Sequence, residues 1–142
     1  MTHGILIIED EVVLARNIKT YFERSGYAAK TAISAEEGLR QLELFKPKVV
    51  IIDYRLPGMD GIQLIAKVHR ADPGIKVIML SGHHSPALAV NALRVGAVAC
   101  LAKPLALEHL RRIVDEQLGT ERASALHQDR RQSEHDDRTM PR

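Results

Sequence analysis

The sequence has 142 residues, of which 45% are hydrophobic and 27% are charged. This length and composition suit one globular domain with its own core, and they exclude a wholly disordered chain. Twenty basic and 18 acidic residues leave a formal net charge of +2, which is too small a surplus to predict nucleic-acid binding by itself.

Five short runs of residues are predicted to be β-strands. The runs at residues 5–8 and 49–53 are continuously apolar up to their ends, which is typical of strands buried on both faces of a parallel sheet. The run at residues 27–32 is more polar, as expected of an edge strand. Two further runs cover residues 75–80 and 98–102.

The first two predicted helices lie between the first three strands. The first ends near Ser25-Gly26, and the second ends before Pro47. Ser34 followed by Glu37 predicts a capping box at the start of the second helix. The apolar residues at helical spacing are Val12, Ala15, Ile18 and Phe22 in the first helix and Leu39, Leu42 and Phe45 in the second.

The last three predicted helices begin after Gly61 and then cover residues 86–95 and 105–118. Gly96 is the predicted C-cap of the fourth helix. The residues predicted to face the core are Ile62, Ile65, Ala66 and His69 in the third helix and Leu107, Leu110, Ile113 or Val114, and Leu118 in the fifth.

Strand and helix alternate five times along the chain. This pattern predicts an α/β fold of the (βα)5 type, with a doubly wound, five-stranded parallel sheet. We expect this domain to cover residues 1–118. Residues 119–142 are charged and contain only Leu126 and Met140 as sizeable apolar groups, so we expect a polar tail or linker. An extension of the last helix to about Gln132 is the alternative.

The single cysteine, Cys100, excludes a disulfide within the chain, argues against a cysteine-based zinc site and suits a reducing compartment. No apolar run approaches the roughly 20 residues that a membrane helix needs. Residues 1–4 lead directly into a strand-like run and not into a signal peptide. We therefore predict a soluble cytoplasmic protein.

Polar residues follow four of the predicted strands: Glu9 and Asp10, then Asp53, Ser81 and Lys103. With the common strand order 2-1-3-4-5, the first and third strands are neighbours and a crevice opens at their carboxyl ends. Three carboxylates in one crevice cannot all stay ionised unless a cation lies among them. Oxygen ligands without histidine or cysteine select Mg²⁺ or Mn²⁺.

This set of residues suits phosphoryl transfer. A carboxylate such as Asp53 can act as a nucleophile and form an acyl phosphate. A metal ion and Lys103 would neutralise the phosphoryl oxygens, and the Ser81 hydroxyl would donate a hydrogen bond to one of them.

Four motifs at these strand ends resemble the response-regulator receiver domain of two-component signalling, over roughly residues 4–118. They are Glu9-Asp10, Asp53 within Asp-x-x-x-Pro-Gly-x-Asp-Gly, Ser81-Gly82 and Lys103-Pro104. The resemblance implies a flavodoxin-like fold with strand order 2-1-3-4-5. It further implies that Asp53 is the phosphoacceptor, that Asp10 binds Mg²⁺ directly and Glu9 through water, and that the backbone carbonyl of Arg55 completes the metal shell.

The resemblance also implies roles near the phosphoryl group. Ser81 would move toward the group, Lys103 would contact it, and the peptide bond from Lys103 to Pro104 would be cis. Arg55 and His83 would set how fast the acyl phosphate is hydrolysed. A metal-ligand role for His83 or His84 is a weaker alternative, because no other histidine lies at a strand end.

Cys100 departs from the family pattern, which has Tyr or Phe three residues before the lysine. In the family this aromatic ring turns inward when the Ser or Thr hydroxyl moves, so Cys100 leaves the output switch open. The chain could pass its phosphoryl group onward or signal through its fourth helix alone. We interpret Cys100 as a small buried filler, with a redox site as the alternative.

The implied phosphodonor is a sensor histidine kinase or a histidine phosphotransfer domain. A downstream protein would bind the face of the fourth helix, fifth strand and fifth helix, with no direct contact to nucleic acid or membrane; a weak homodimer stays open. We expect Mg²⁺-dependent self-phosphorylation and dephosphorylation, but no turnover enzyme. The main alternative is a pseudo-receiver, which binds proteins without phosphorylation. Two other functions fit the residues less well. A phosphatase with an aspartate nucleophile would need a general acid two residues after Asp53, where this chain has Arg55. A flavin-binding module would need a phosphate-binding loop after the first strand, where Glu9-Asp10-Glu11 would repel the phosphate.

Overall fold

The computed structural model describes residues 3–83 and 85–119. The described residues fall in two compact units, one ending at Leu107 and the other beginning at Glu108. Within these ranges, no helix has both the length and the apolar character needed to span a bilayer.

The first unit is built on a sheet of five parallel strands in the order β2-β1-β3-β4-β5. This order confirms the doubly wound fold predicted from the sequence. The strands are β1 (Gly4–Ile8), β2 (Ala28–Ala32), β3 (Val49–Asp53), β4 (Lys76–Ser81) and β5 (Ala97–Ala102).

Helices follow the strands in alternation. They are α1 (Val12–Arg24), α2 (Ala35–Phe45), α3 (Gly61–Ala71), α4 (Pro86–Val95) and α5 (Leu107–Leu118). Between β3 and α3, the short strands Arg55–Leu56 and Met59–Asp60 pair antiparallel, and we call them the β3–α3 hairpin. Gly96 ends α4 as predicted, with a positive φ of 129°.

The central strands are buried because helices cover both faces of the sheet. Every residue of β3 is buried, as are four of the five residues of β1. On one face, Leu6, Val50 and Met79 join a core cluster with residues of α2, α3 and α4. On the other face, α1 contributes its buried Ala15 and Phe22.

The register of the sheet decides where polar residues emerge. Ile8 lies opposite Ile52, and Asp53 lies opposite Leu80. Ser81 in turn lies opposite Ala102. The residues that end or follow these strands therefore meet at one edge of the sheet, as parallel pairing requires.

Two predicted helix faces differ from the observed ones. Val12 is 55% exposed, because it is the first residue of α1 and lies beyond the cover of the sheet. In α3 the buried side chains include Leu64 and Val68, whereas the predicted His69 is exposed. Apolar residues extend around more than one side of α3, so periodicity indicates a helix there without deciding which stripe faces the core.

The predicted capping box at α2 is only half present. The Ser34 side chain accepts a hydrogen bond from the Glu37 N–H, as predicted, but Glu37 accepts its bond from the Ile33 N–H and not from the backbone of Ser34. A complete capping box occurs at α3, between Asp60 and Gln63.

The second unit contains, among the described residues, Glu108 onward in α5 and Gly119. The buried side chains of this helix are Leu110 and Val114, two of the positions predicted to face the core. Of the tail predicted over residues 119–142, only Gly119 is described, and the rest, including the extension to Gln132, lies outside the described residues.

Candidate functional site

Backbone hydrogen bonds continue the sheet one residue past the strand ends and hold the site residues in place. The Glu9 N–H donates to the Ala32 carbonyl at 2.9 Å, and the Lys103 N–H donates to the Ser81 carbonyl at 2.9 Å. These residues are therefore extensions of a rigid sheet and are not carried by free loops. Such positions give a site more precise geometry than a loop does.

Three carboxylates meet at this edge. Glu9, Asp10 and Asp53 each offer one oxygen, and these oxygens all lie within 4.8 Å of one another. Glu9 is 1% exposed and Asp53 is 6% exposed, whereas Asp10 is exposed to solvent. Glu9 Oε2 accepts a hydrogen bond from the Glu11 N–H at 3.1 Å, which orients its carboxylate.

Lys103 supplies the positive charge of the site. Its Nζ lies 2.9 Å from Glu9 Oε1, 2.9 Å from Glu11 Oε1 and 3.2 Å from Asp53 Oδ1. The following peptide bond, to Pro104, is cis. One ammonium group thus contacts two buried carboxylates and one exposed carboxylate.

Burial and charge shift the pKa values of this cluster. Burial raises the pKa of Glu9 from about 4.5 to about 7, with a smaller rise from the charge of Asp53, and Lys103 opposes the rise only in part. Burial alone would lower the pKa of Lys103, but its contacts with Glu11 and Glu9 and the charge of Asp53 raise it above its ordinary value. The lysine therefore stays charged at neutral pH.

The donor set fits a hard divalent cation. All three groups are carboxylates, which are the ligands that Mg²⁺ and Ca²⁺ prefer in proteins. Glu9 Oε1 is buried and accepts no hydrogen bond among the described residues, so its 2.9 Å contact with Lys103 is electrostatic. Because one lysine cannot neutralise the whole cluster, a cation would relieve the remaining repulsion.

Comparison with known proteins decides the family. The sequence model of the response regulator receiver domain matches residues 5–115. This chain belongs to the response-regulator receiver domain family. The resemblance predicted from the strand-end motifs is therefore confirmed, and membership supports a phosphoryl-accepting role and does not favour the pseudo-receiver alternative.

Curated relatives of this receiver domain are longer regulators. It is 36% identical over 114 residues to the transcriptional regulatory protein GlrR of Escherichia coli (strain K12), covering 80% of this chain and 26% of that protein. It is 33% identical over 122 residues to the nitrogen assimilation regulatory protein NtrX of Azorhizobium caulinodans, covering 84% of this chain and 27% of NtrX. The chain thus spans about a quarter of the length of these relatives.

Solved structures show the same fold. A CheY-like receiver domain from Methanospirillum hungatei JF-1 superposes with a TM-score of 0.80 at 33% identity, covering 84% of this chain and 95% of that one. A response regulator from Burkholderia pseudomallei superposes with a TM-score of 0.74 at 30% identity, covering 90% and 72%. That structure contains a phosphorylated aspartic acid and a calcium ion.

Ser81 ends β4 and is 2% exposed. Its Oγ accepts a hydrogen bond from the His83 N–H at 3.0 Å and donates one to the His83 carbonyl oxygen at 3.3 Å. The side chain of His83 reaches across to Arg55, with His83 Nε2 in contact with Arg55 Nη2. Ser81, His83 and Arg55 thus form one contact network; His84 lies outside the described residues.

Cys100 lies half-buried on β5 and packs against the core cluster. It borders a surface cavity of about 310 Å³, whose other lining residues are Ser81, His83, Ser85, Pro86, Ala89, Leu101 and Ala102. Burial raises the pKa of the Cys100 thiol, which disfavours the reactive thiolate. This environment favours the filler interpretation over the redox alternative.

Two residues of the site were not selected by sequence reasoning. Glu11 contacts Lys103, and its only signal is that it is the third acid in the run that begins at Glu9. Gly61 starts α3, and a Cβ there would lie 2.7 Å from Tyr54 Cα and 3.1 Å from the Asp53 carbonyl oxygen. Its signal is its place as the last residue of the Asp53 motif.

Proposed function

We propose that this receiver domain accepts a phosphoryl group on Asp53 from a phosphohistidine of a sensor kinase or phosphotransfer domain. The observation that carries the proposal is the 3.2 Å contact between Asp53 Oδ1 and Lys103 Nζ, inside a cluster of carboxylates that fits a divalent cation. The phosphorylated aspartic acid in the Burkholderia pseudomallei relative supports the same chemistry here.

The reaction needs only one nucleophile from this chain. An Asp53 carboxylate oxygen attacks phosphorus and forms a P–O bond while the P–N bond of the phosphohistidine breaks. The electron pair of that bond stays on the ring nitrogen, and a proton carried by the other ring nitrogen of the phosphohistidine makes the leaving group a neutral imidazole. Lys103 offsets the charge that develops on the phosphoryl oxygens, and Ser81 donates its hydroxyl hydrogen to one of them.

The residues that would hold Mg²⁺, or Mn²⁺ as an alternative, are Glu9, Asp10 and Asp53, together with the backbone carbonyl of Arg55. When bound, the ion supplies positive charge that neutralises both the carboxylates and the transferring group. Glu9 would contact the ion through a water molecule, as the family resemblance implies, while its Oε2 accepts the hydrogen bond from the Glu11 N–H.

Arg55 and His83 suit a role in the lifetime of the acyl phosphate. Both side chains are exposed, and their contact spans the strand ends that carry Asp53 and Ser81. We expect the domain to catalyse its own phosphorylation and hydrolysis without turnover of a separate substrate. The kinase, the downstream protein and the cytoplasmic location stay predictions.

The direct test is incubation with acetyl phosphate and Mg²⁺ followed by intact-protein mass spectrometry. Wild-type protein should gain one phosphoryl group, and Asp53→Asn should gain none. Asp60→Asn is the matched control, because Asp60 is a nearby exposed aspartate and asparagine also caps a helix. It should be phosphorylated like the wild type. Failure of the wild type with both acetyl phosphate and phosphohistidine donors would favour the pseudo-receiver.

A further inference from the structure

Glu11 precedes α1 at the N-cap position, but its side chain makes no capping hydrogen bond. Its Oε1 instead accepts a hydrogen bond from Lys103 Nζ at 2.9 Å. This contact joins the loop after β1 to the residues after β5, across 92 positions of sequence. The side chain is therefore committed to the phosphorylation site and not to the helix that it precedes.

The three carboxylates around Lys103 are not equivalent. The side chains of Glu9 and Asp53 are 1% and 8% exposed, whereas the side chain of Glu11 is 62% exposed. An ion pair with an exposed partner contributes little free energy and exchanges readily with water. A buried carboxylate that loses its counter-ion is costly. If Lys103 must release one partner, that partner is Glu11.

We propose that Glu11 is a positioning residue and a displaceable counter-ion for Lys103. It holds the ammonium group in the unphosphorylated domain and releases it when Asp53 carries a phosphoryl group, whose charged oxygens are strong acceptors. Three carboxylate oxygens already lie 2.9–3.2 Å from the ammonium group, so a phosphoryl oxygen that binds it takes the place of one of these contacts. This inference rests on the proposed phosphorylation of Asp53.

Release of Glu11 changes the surface at the start of α1. Val12 and Val13 follow directly and are 55% and 67% exposed. Phosphorylation would thus free one carboxylate beside two exposed apolar side chains. This response does not pass through Cys100, so it gives the domain a change of surface that needs no aromatic residue at that position.

The first test measures the affinity for beryllofluoride, a mimic of the phosphoryl group, at saturating Mg²⁺. Glu11→Gln should bind it roughly twofold to fivefold more tightly than wild type, because no exposed ion pair is broken on binding. Glu43→Gln, which changes an exposed acid on α2, is the control and should leave the affinity unchanged. In a Lys103→Met background the effect of Glu11→Gln should vanish. An equal effect in that background would show plain charge repulsion and overturn the proposal.

The second test follows the contact itself by NMR of protein with ¹³C-labelled glutamate side chains. On addition of beryllofluoride and Mg²⁺, the Glu11 carboxyl resonance should move toward that of the exposed Glu43. An unmoved Glu11 resonance in protein that does bind beryllofluoride overturns the role of Glu11 alone. Wild-type protein that binds no beryllofluoride and forms no adduct with acetyl phosphate overturns the proposed function, and the role of Glu11 with it.

Discussion

Asp53 shares a single ammonium group with Glu9 and Glu11, so one positive charge faces several carboxylates. Like charges this close raise each other's free energy in the folded state unless a cation joins them. The burial of Glu9 and Asp53 strengthens the effect, because little water screens them. Asp53, which phosphoryl transfer requires, therefore lowers the stability of the metal-free domain.

We accordingly expect Asp53→Asn to stabilise the metal-free domain, by about 0.5–2 kcal/mol. The substitution removes one negative charge while Lys103 keeps its contacts with Glu9 and Glu11. Urea unfolding in the presence of a chelator measures the change. Asp60→Asn should leave the free energy of unfolding nearly unchanged. A lower stability of Asp53→Asn would mean that the Asp53–Lys103 contact outweighs the repulsion.

At the scale of elements, α3 must begin close to the strand that carries Asp53. The Gly61 N–H donates to the Tyr54 carbonyl at 2.6 Å, and the Tyr54 N–H donates to the Leu80 carbonyl at 2.8 Å. Through these two bonds, Tyr54, the residue that follows β3, is joined both to the start of α3 and to β4. The close approach is open to glycine only, because the nearest atoms to a Cβ at this position belong to backbone.

Gly61→Ala should destabilise the domain by about 1–3 kcal/mol, although alanine is the better helix former. Its Cβ would lie 2.7 Å from Tyr54 Cα, and neither backbone can move without disturbing β3. The rate of phosphorylation by acetyl phosphate should fall as well, because the added Cβ would also lie 3.1 Å from the backbone carbonyl oxygen of Asp53. Chemical denaturation and adduct formation measure the two effects.

Gly82→Ala separates this steric effect from a general effect of adding a methyl group. Gly82 also neighbours a site residue, but nothing lies within 4 Å of a Cβ placed there. It should unfold close to the wild-type midpoint. Equal stability of Gly61→Ala and Gly82→Ala would contradict the requirement for close packing at α3.

At the scale of the whole molecule, the sheet was predictable because burial on both faces demands a continuous apolar run. Val49–Asp53 meets that demand and ends in a carboxylate, so both the strand and its site could be read together. The buried face of α3 could not be predicted in this way. Ile62 and Leu64 are equally apolar, and only the neighbours that pack against the helix decide which of the two is buried. The contact of Glu11 with Lys103 could not either. That contact depends on the conformation of the exposed Glu11 side chain, and its partner lies 92 positions away in the sequence.

The pH dependence of stability follows from Glu9. Its pKa rises from about 4.5 in the unfolded chain to about 7 in the folded domain, mainly through burial. Between these values the folded state binds more protons than the unfolded state, so the free energy of unfolding falls as pH rises from about 4.5 to 7. The loss is at most roughly 3 to 4 kcal/mol and is complete only above pH 7. We expect it in urea unfolding of chelator-treated protein at pH 5 and pH 8.

Mg²⁺ should oppose this loss, because a cation and a proton compete for the same carboxylates. The stabilisation by saturating Mg²⁺ should therefore be larger at pH 8 than at pH 5. The side chain introduced by Glu9→Gln cannot titrate, so the free energy of unfolding of the metal-free variant should depend less on pH. The variant keeps the other two carboxylates of the cluster, Asp10 and Asp53. Glu43→Gln, as an exposed control, should keep the wild-type slope. If Glu9→Gln also kept that slope, another group would be responsible for the pH dependence.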